Sequence, residues 1–434
     1  MKTRMKSVAA CTMLVVLFGL LLPTETVAGD EPGVEWEKTF GDIADDRGYN
    51  VQRTTDGGYI ISGWTYSSGA GDSDVYLIKT DSSGNKEWET TFGGPKFEGG
   101  QHVRQTADDG YIIIGVTNSI GAGSGDVYLI RTNSNGVSLW EKSFGGSAND
   151  YGHSVQQTPD GGYIITGGTR SFGGGSDAFL IKTDSDGNPV WDPVFKTYGG
   201  AGDDYGWSLD LTDDGGYIIA GGTKSFGAGS DDLYLVKAGS SGSFQWEAIF
   251  GGGSYDVGGW VQQTADSGYV ITGWTRSFGA GSEDLYLIKT DSSGNAQWEK
   301  TFGGSDVETG NCVEQTSDGG YVIVGTTSSS GAGSYDVYLI KLAPVGVLVE
   351  NLVDLVKIVN DESGITNSSL EAKLNPALNT LDDINDNNNV AAINTLGNFI
   401  KAVEGQRDKG DISVDDAQDL IDAAQYIIDL LTNG

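Results

Sequence analysis

WETTFGGPKFEGGQHVRQTADDGYIIIGVTNSIGAGSGDVYLIRTN, residues 88–133, is one of about six copies of a single pattern in this chain. Trp36, Trp88, Trp140, Trp191, Trp246 and Trp298 open successive copies, at steps of 52, 52, 51, 55 and 52 residues. A fixed period of this size marks a solenoid, a propeller or an array. Each copy holds four short apolar runs. In the first they are Val51–Thr54, Gly58–Thr65, Asp74–Asp81 and Trp88–Phe92. They are rich in Val, Ile, Tyr, Trp and Thr and too short for helices, so they read as β-strands, called a to d.

The turns between them carry their own chemistry. Asp56, Asp108, Asp160, Asp214, Asp266 and Asp318 begin an Asp-Gly-Gly turn or a near variant between a and b. Asp-Gly supplies the positive φ a tight hairpin needs. The b–c loop is GAGxxD or close to it, ending at Asp74, Asp126, Asp177, Asp232, Asp284 and Asp336. Three hairpins in a row make a four-stranded antiparallel meander, and meanders repeated radially make a β-propeller. Strand d appears first at Trp36–Phe40, before any strand a, and none follows the last strand c. The expected fold is therefore an all-β six-bladed propeller over residues 29–342, in which Trp36–Phe40 pairs with Asp336–Lys341 and closes the last blade.

The two ends differ from the repeats. Lys2, Arg4 and Lys6 precede an apolar run, Val8–Leu22, and Thr26-Val27-Ala28 fits a cleavage site. Residues 1–28 read as a secretory signal peptide, with no membrane span after it. Its removal would leave Cys312 as the sole cysteine and move the formal net charge from −34 to −36. Such a charge disfavours nucleic acid and anionic membranes as partners. After a linker at residues 343–346 glycine becomes scarce and the period shifts to that of a helix. Val349–Val359, Leu370–Leu381, Val390–Val403 and Ala417–Ile428 carry four apolar faces, the last behind a capping box at Ser413 and Asp416. Residues 347–434 read as a small all-α helical bundle.

Comparing the copies separates constant from variable positions. Asp46, Glu98, Asp150, Asp204, Asp256 and Glu308 recur two places before a glycine at the turn into strand a. Such a ring offers the oxygen ligands that Ca²⁺ requires, and the same acids equally suit capping of loop N–H groups. The repeated Trp and Tyr residues read as inter-blade packing. Two positions at the start of strand a vary. One holds Tyr49, Gln101, His153, Trp207, Gly259 and Asn311, and the next holds Asn50, His102, Ser154, Ser208, Trp260 and Cys312. Strand a lines a propeller's channel, so Tyr49, Gln101, His102, His153, Trp207 and Trp260 are candidate ligand-binding residues at its mouth, suited to a sugar or a small polar ligand. No catalytic constellation emerges. Two histidines are too few for a His₃ zinc site, and neither has a Ser and Asp partner at a motif.

The unit TxDGGYIIxGxT…DVYLIKTDSSGNxxWEKTFGG resembles the propeller repeats of prokaryotic exported and cell-surface proteins. VYLIKTDSSGNKEW, with Asp81, Gly84 and Trp88, also resembles the quinoprotein-type blade motif. Toward the end, Phe399-Ile400-Lys401-Ala402-Val403, with EGQRDKGDIS and AQDLIDAAQYII after it, is similar to the FIMAH domain, which implies an extracellular accessory role. The first expectation is a non-enzymatic exported module at the cell surface that binds an extracellular protein or a carbohydrate, with Ca²⁺ on its acidic face and the tail mediating association. The alternatives are a sugar-active or quinone-dependent enzyme using the channel mouth, and a structural surface-layer component.

Overall fold

The structure is a computed structural model that describes residues 36–342 except 318, 332 and 333, then residues 370, 386–409, 412, 417, 418, 420, 421, 424, 425 and 428. The expected signal peptide and linker lie outside the described residues, as do nearly all of the first two expected helices and the capping box. The chain divides into two compact units, one of which is Lys38–Pro344.

That unit is a six-bladed β-propeller. Blade 1 is β1 (Asp46–Arg53), β2 (Tyr59–Thr65), β3 (Asp74–Thr80) and β4 (Lys86–Phe92). Blade 2 is β5 (Glu98–Gln105), β6 (Tyr111–Thr117), β7 (Asp126–Thr132) and β8 (Ser138–Phe144). Blade 3 is β9 (Asp150–Gln157), β10 (Tyr163–Thr169), β11 (Asp177–Thr183) and β12 (Lys196–Tyr198). Blade 4 is β13 (Asp204–Leu211), β14 (Tyr217–Thr223), β15 (Asp232–Ala238) and β16 (Phe244–Phe250). Blade 5 is β17 (Asp256–Gln263), β18 (Tyr269–Thr275), β19 (Asp284–Thr290) and β20 (Ala296–Phe302). Blade 6 is β21 (Glu308–Gln315), β22 (Tyr321–Thr327) and β23 (Asp336–Leu342). Every pairing within a blade is an antiparallel hairpin between neighbours in sequence. In blade 3 the outer strand is only three residues long. Pro189 and Pro193, which lack an N–H, stand where the other copies run their ladder.

The apolar runs are buried between blades. One hydrophobic cluster joins blades 1 and 2 through Leu77, Val103 and Ile113, and four more join each later blade to the next. The repeated tryptophans dock across these boundaries. Trp88 meets Tyr111 with ring centroids 5.8 Å apart, and Trp140, Trp191, Trp246 and Trp298 meet Tyr163, Tyr217, Tyr269 and Tyr321 in the same way. Gly136, at φ +74°, makes room for this docking: a Cβ there would lie 2.6 Å from the Trp88 ring.

The a–b turn aspartate also serves the sheet. Asp56 accepts the Gly58 N–H at 3.0 Å and pairs with the buried Lys79 ammonium at 2.8 Å. Hydrogen bonding to Lys79 holds the Asp56 carboxyl down at about 2. Asp160–Lys182, Asp214–Lys237 and Asp266–Lys289 repeat the pair, and Asp108–Arg131 substitutes for it in blade 2.

The expected clasp is not formed. Trp36–Phe40 has no strand, and blade 6 ends at β23 with three strands. Instead the segment stays with blade 1. Lys38 Nζ donates to Asn85 Oδ1 at 3.2 Å, as Lys142 does to Asn188 at 3.3 Å, and Phe40 lines a cavity of about 170 Å³ with Ile61, Tyr76 and Ile78. Lys38 and Phe40 thus touch blade 1 in the way an outer strand touches the blade after it. Pairing with β23 requires blades 6 and 1 to bring their faces together, and these faces are exposed. Val337 and Leu339 are 79% and 66% exposed, and Val51 is 59% exposed, where their counterparts Val75, Leu77 and Val103 are buried. Among the described residues the propeller therefore has five sealed interfaces and one seam.

In the second unit one helix is delineated, α1 (Asp386–Arg407). It carries the third expected apolar face and buries Leu396, Phe399 and Val403. Leu370, Ile412, Ala417, Leu420 and Ala424 are buried as well. Among the described residues no helix is long and apolar enough to cross a membrane.

Candidate functional site

Each strand a begins with the recurrent acid because its turn needs an acceptor. Asp256 accepts the Gly252 N–H at 2.8 Å and the Ser277 hydroxyl at 2.6 Å on one oxygen, and the Thr275 hydroxyl on the other. Glu98 accepts the N–H groups of Gly94, Asn118 and Ser119 and the Thr117 hydroxyl, all within 3.1 Å. Asp46, Asp150, Asp204 and Glu308 hold the corresponding turns. Five of the six acids are fully buried, with Asp46 partly so. The GAGxxD aspartates come alongside them. A Cβ on Gly145 would lie 1.9 Å from Asp126 Oδ1 and 2.7 Å from Asp150 Oδ2. Burial pushes the carboxyls of Asp74, Asp126 and Asp177 up. Among the described residues no group of three or more His, Cys, Asp or Glu side chains is placed to hold a metal ion.

The variable positions occupy a β-bulge. In β1 the ladder pairs Gly48 with Gly63 and Asn50 with Ser62, so Tyr49 is the extra residue. The same shift makes Gln101, His153, Trp207, Gly259 and Asn311 bulge residues in the other blades. A bulge breaks the ladder and re-aims the side chain it carries. Opposite it, strand b needs glycine: a Cβ on Gly221 would lie 1.8 Å from the Tyr205 carbonyl oxygen.

Beyond the bulge, strand a points alternate residues toward the channel, and many reach the next blade's backbone. Asn50, His102 and Ser208 accept the N–H groups of Val103, Val155 and Val261. Two residues on, a third variable ring holds Gln52, Arg104, Gln156, Asp210, Gln262 and Glu314. Gln52, Asp210 and Gln262 accept the N–H groups of Gln105, Gln263 and Gln315, while Gln156 donates to Leu209 O. These bonds stitch each blade to the following one. The sequence comparison missed this ring, although its variation among otherwise similar copies was the available signal.

Four of the six candidate ligand residues form two aromatic contacts. His153 and Trp207 stack, with centroids 4.2 Å apart and planes 22° apart, and Tyr205 meets Trp207 edge-on at 5.6 Å. Across the channel, His102 meets Trp260 edge-on at 6.1 Å, and the Arg104 guanidinium lies 5.7 Å from the Trp260 ring centre. Tyr49 and Gln101 belong to neither contact.

The two imidazoles are locked in opposite tautomers. His153 Nδ1 lies 2.9 Å from Gly206 O, which can only accept, so Nδ1 carries the proton and Nε2 is the acceptor. His102 Nδ1 accepts the Val155 N–H at 3.2 Å, so Nε2 carries its proton. Both partners are backbone groups, not the hydroxyl and carboxylate of a catalytic triad. Burial pushes His102 down to about 3, reinforced by the charge of Arg104, and pushes His153 down to about 4.

Acid sensitivity follows from these shifts. An unfolded histidine titrates near about 6.5, so below that pH the unfolded chain binds protons that the folded chain refuses. The histidine contribution to stability is complete above pH 6.5 and falls with pH, by up to about 1.4 kcal/mol per unit for each group. Asn50 does for Val103 what His102 does for Val155. His102→Asn is therefore expected to keep the bond and remove about half of the stability loss between pH 6.5 and 5, read from urea midpoints. An unchanged slope would show that His102 is not the titrating group.

The class this fold defines is a six-bladed β-propeller built from internal repeats, with its variable side chains on the strands lining the channel. No family model matches the chain, and no curated protein is similar to it. Solved structures are similar to it only at low identity and with TM-scores below 0.5. Puromycin hydrolase is 12% identical over 68% of this chain, with a TM-score of 0.42, and the chain spans 47% of that protein. A neuraminidase-like protein of A/flat-faced bat/Peru is 11% identical over 70% of this chain and 90% of its own, with a TM-score of 0.34. Endo-1,5-alpha-L-arabinanase from Thermotoga petrophila is 12% identical over 68% of this chain and 80% of its own, with a TM-score of 0.27.

Proposed function

We propose that this chain is a non-enzymatic binding module, exported to the cell surface, that takes a carbohydrate at the mouth of its propeller channel. The observation carrying this reading is the Trp207 platform. Its indole is 40% exposed, is stacked on His153 and is braced by Tyr205. An aromatic ring fixed by packing and half open to solvent offers an apolar face to a sugar ring at little cost in side-chain entropy. His153 Nε2 is an acceptor for a sugar hydroxyl beside that face.

In this reading the acidic ring holds the loops of the mouth, and export rests on the basic and apolar run of residues 1–28. The test is calorimetry of the intact chain with galactotriose and trigalacturonate. Trp207→Ala is expected to weaken sugar binding about tenfold or more, equivalent to about 1.4 kcal/mol, while leaving the circular dichroism spectrum unchanged. Undiminished affinity in that variant would remove Trp207 from the site. A melting temperature raised by calcium over chelator would restore a cation role to the acidic ring.

A further inference from the structure

We infer that the channel below the mouth is a site for a carboxylate-bearing sugar, held by Arg104 and the Nε2–H of His102 beside Trp260. This rests on the reading of the channel as a sugar site and adds the charge of the ligand.

Arg104 departs from the pattern of its ring. Gln52, Asp210 and Gln262 each accept an N–H of the following blade, and Gln156 bonds a carbonyl there. A guanidinium has five donors and no acceptor. Arg104 therefore cannot cap Gln157 as Gln52 caps Gln105. Trp260, one ring above, likewise has no acceptor to offer, where Asn50, His102 and Ser208 each accept a backbone N–H. These two departures meet: the guanidinium lies against the Trp260 ring. Residues that forgo a local stabilising bond tend to be held for function.

His102 supplies an independent observation. It is 4% exposed, and its Nε2 has no hydrogen-bond partner. An unmade hydrogen bond on a buried donor costs roughly 1–3 kcal/mol, so the site wants an acceptor there. Trp260 contacts both His102 and Arg104, which brings a neutral donor and a cation together. Asp210 and Glu314 attract Arg104 at longer range, and neither is within ion-pair distance of it. A ligand completing this arrangement must be acceptor-rich and anionic. A planar carboxylate matches the guanidinium fork, and a sugar ring matches the indole face.

The test compares trigalacturonate with galactotriose by calorimetry on the intact chain and on Arg104→Gln. Glutamine is what three other blades carry at this position, as Gln52, Gln156 and Gln262. Trigalacturonate is expected to bind the unaltered chain at least about tenfold more tightly than galactotriose, with the preference falling as salt rises. In Arg104→Gln the preference should vanish while galactotriose affinity stays within about twofold. The variant should also unfold at a higher urea concentration, because glutamine can cap Gln157. Equal affinity of the two sugars for the unaltered chain, or an undiminished preference in the variant, overturns this inference alone. A less stable variant would make Arg104 a scaffold residue and overturn it too. If neither sugar binds, the carbohydrate reading of the channel falls, and this inference with it.

Discussion

Asp256→Ala is expected to lower the unfolding free energy by roughly 3–5 kcal/mol, the largest loss from any single side-chain truncation at the mouth. The Asp256 carboxylate is fully buried and accepts from Gly252 N–H and from the hydroxyls of Thr275 and Ser277. Alanine removes the acceptor that these three donors share. Each stranded buried donor costs roughly 1–3 kcal/mol, and three share one turn. The same acid as a calcium ligand would behave differently, because its stabilisation would disappear in chelator. Urea unfolding in calcium and in chelator separates the two. An equal loss in both assigns the acid to the turn. A loss confined to calcium, or one below about 1 kcal/mol, would refute the capping role.

Gly221→Ala should be at least as damaging, through the backbone rather than through a lost bond. The bulge of strand a pushes the Tyr205 carbonyl toward strand b, 1.8 Å from where the new Cβ would stand. That oxygen belongs to backbone in the sheet and cannot turn aside as a flexible side chain would. Blade 4 must therefore lose its bulge or part of its a–b ladder, at an expected cost above about 3 kcal/mol or with loss of soluble protein. Gly215→Ala is the control. Gly215 has φ +77° and open space around its Cβ position, so only backbone strain is incurred, about 1 kcal/mol. Similar urea midpoints for the two variants would show that the close approach at Gly221 is not what excludes a side chain.

Much of this architecture was legible in the sequence because it is periodic. The tryptophan spacing, the Asp-Gly turns and the alternating runs define a blade from local chemistry alone, and six blades are observed. The bulge residues were also legible, as the position where copies disagree. Whether the acids of the strand-a turn bind a metal or cap a turn was not, since both uses select the same residue types at the same spacing. The structure supplies what spacing cannot, namely the hydroxyls and N–H groups around Asp256 and Glu98. The clasp was misjudged for a different reason. Trp36–Phe40 matches the missing strand in sequence but forms no strand, because pairing also requires that the faces carrying Val51 and Val337 meet, and that contact is tertiary. Arg104 was not legible, because its meaning lies in the bond it fails to make with the next blade, which no single strand reveals.

The stitching of each strand a to its successor bears on how the molecule is assembled. Sheet pairing joins strands adjacent in sequence, and the side chains of Gln52, Asp210 and Gln262 reach only one repeat ahead. Nearly all of the loop closure is therefore hairpin-sized or one period long, a low contact order for an all-β protein. A chain emerging from its N-terminal end can complete blade 1 and offer its apolar face as a template before blade 2 has been made. Growth then proceeds by accretion, and a missing or supernumerary repeat leaves every earlier blade undisturbed. What cannot be built in this stepwise way is the contact of Trp260 with His102 and Arg104, which must wait until three more blades have followed blade 2 into place.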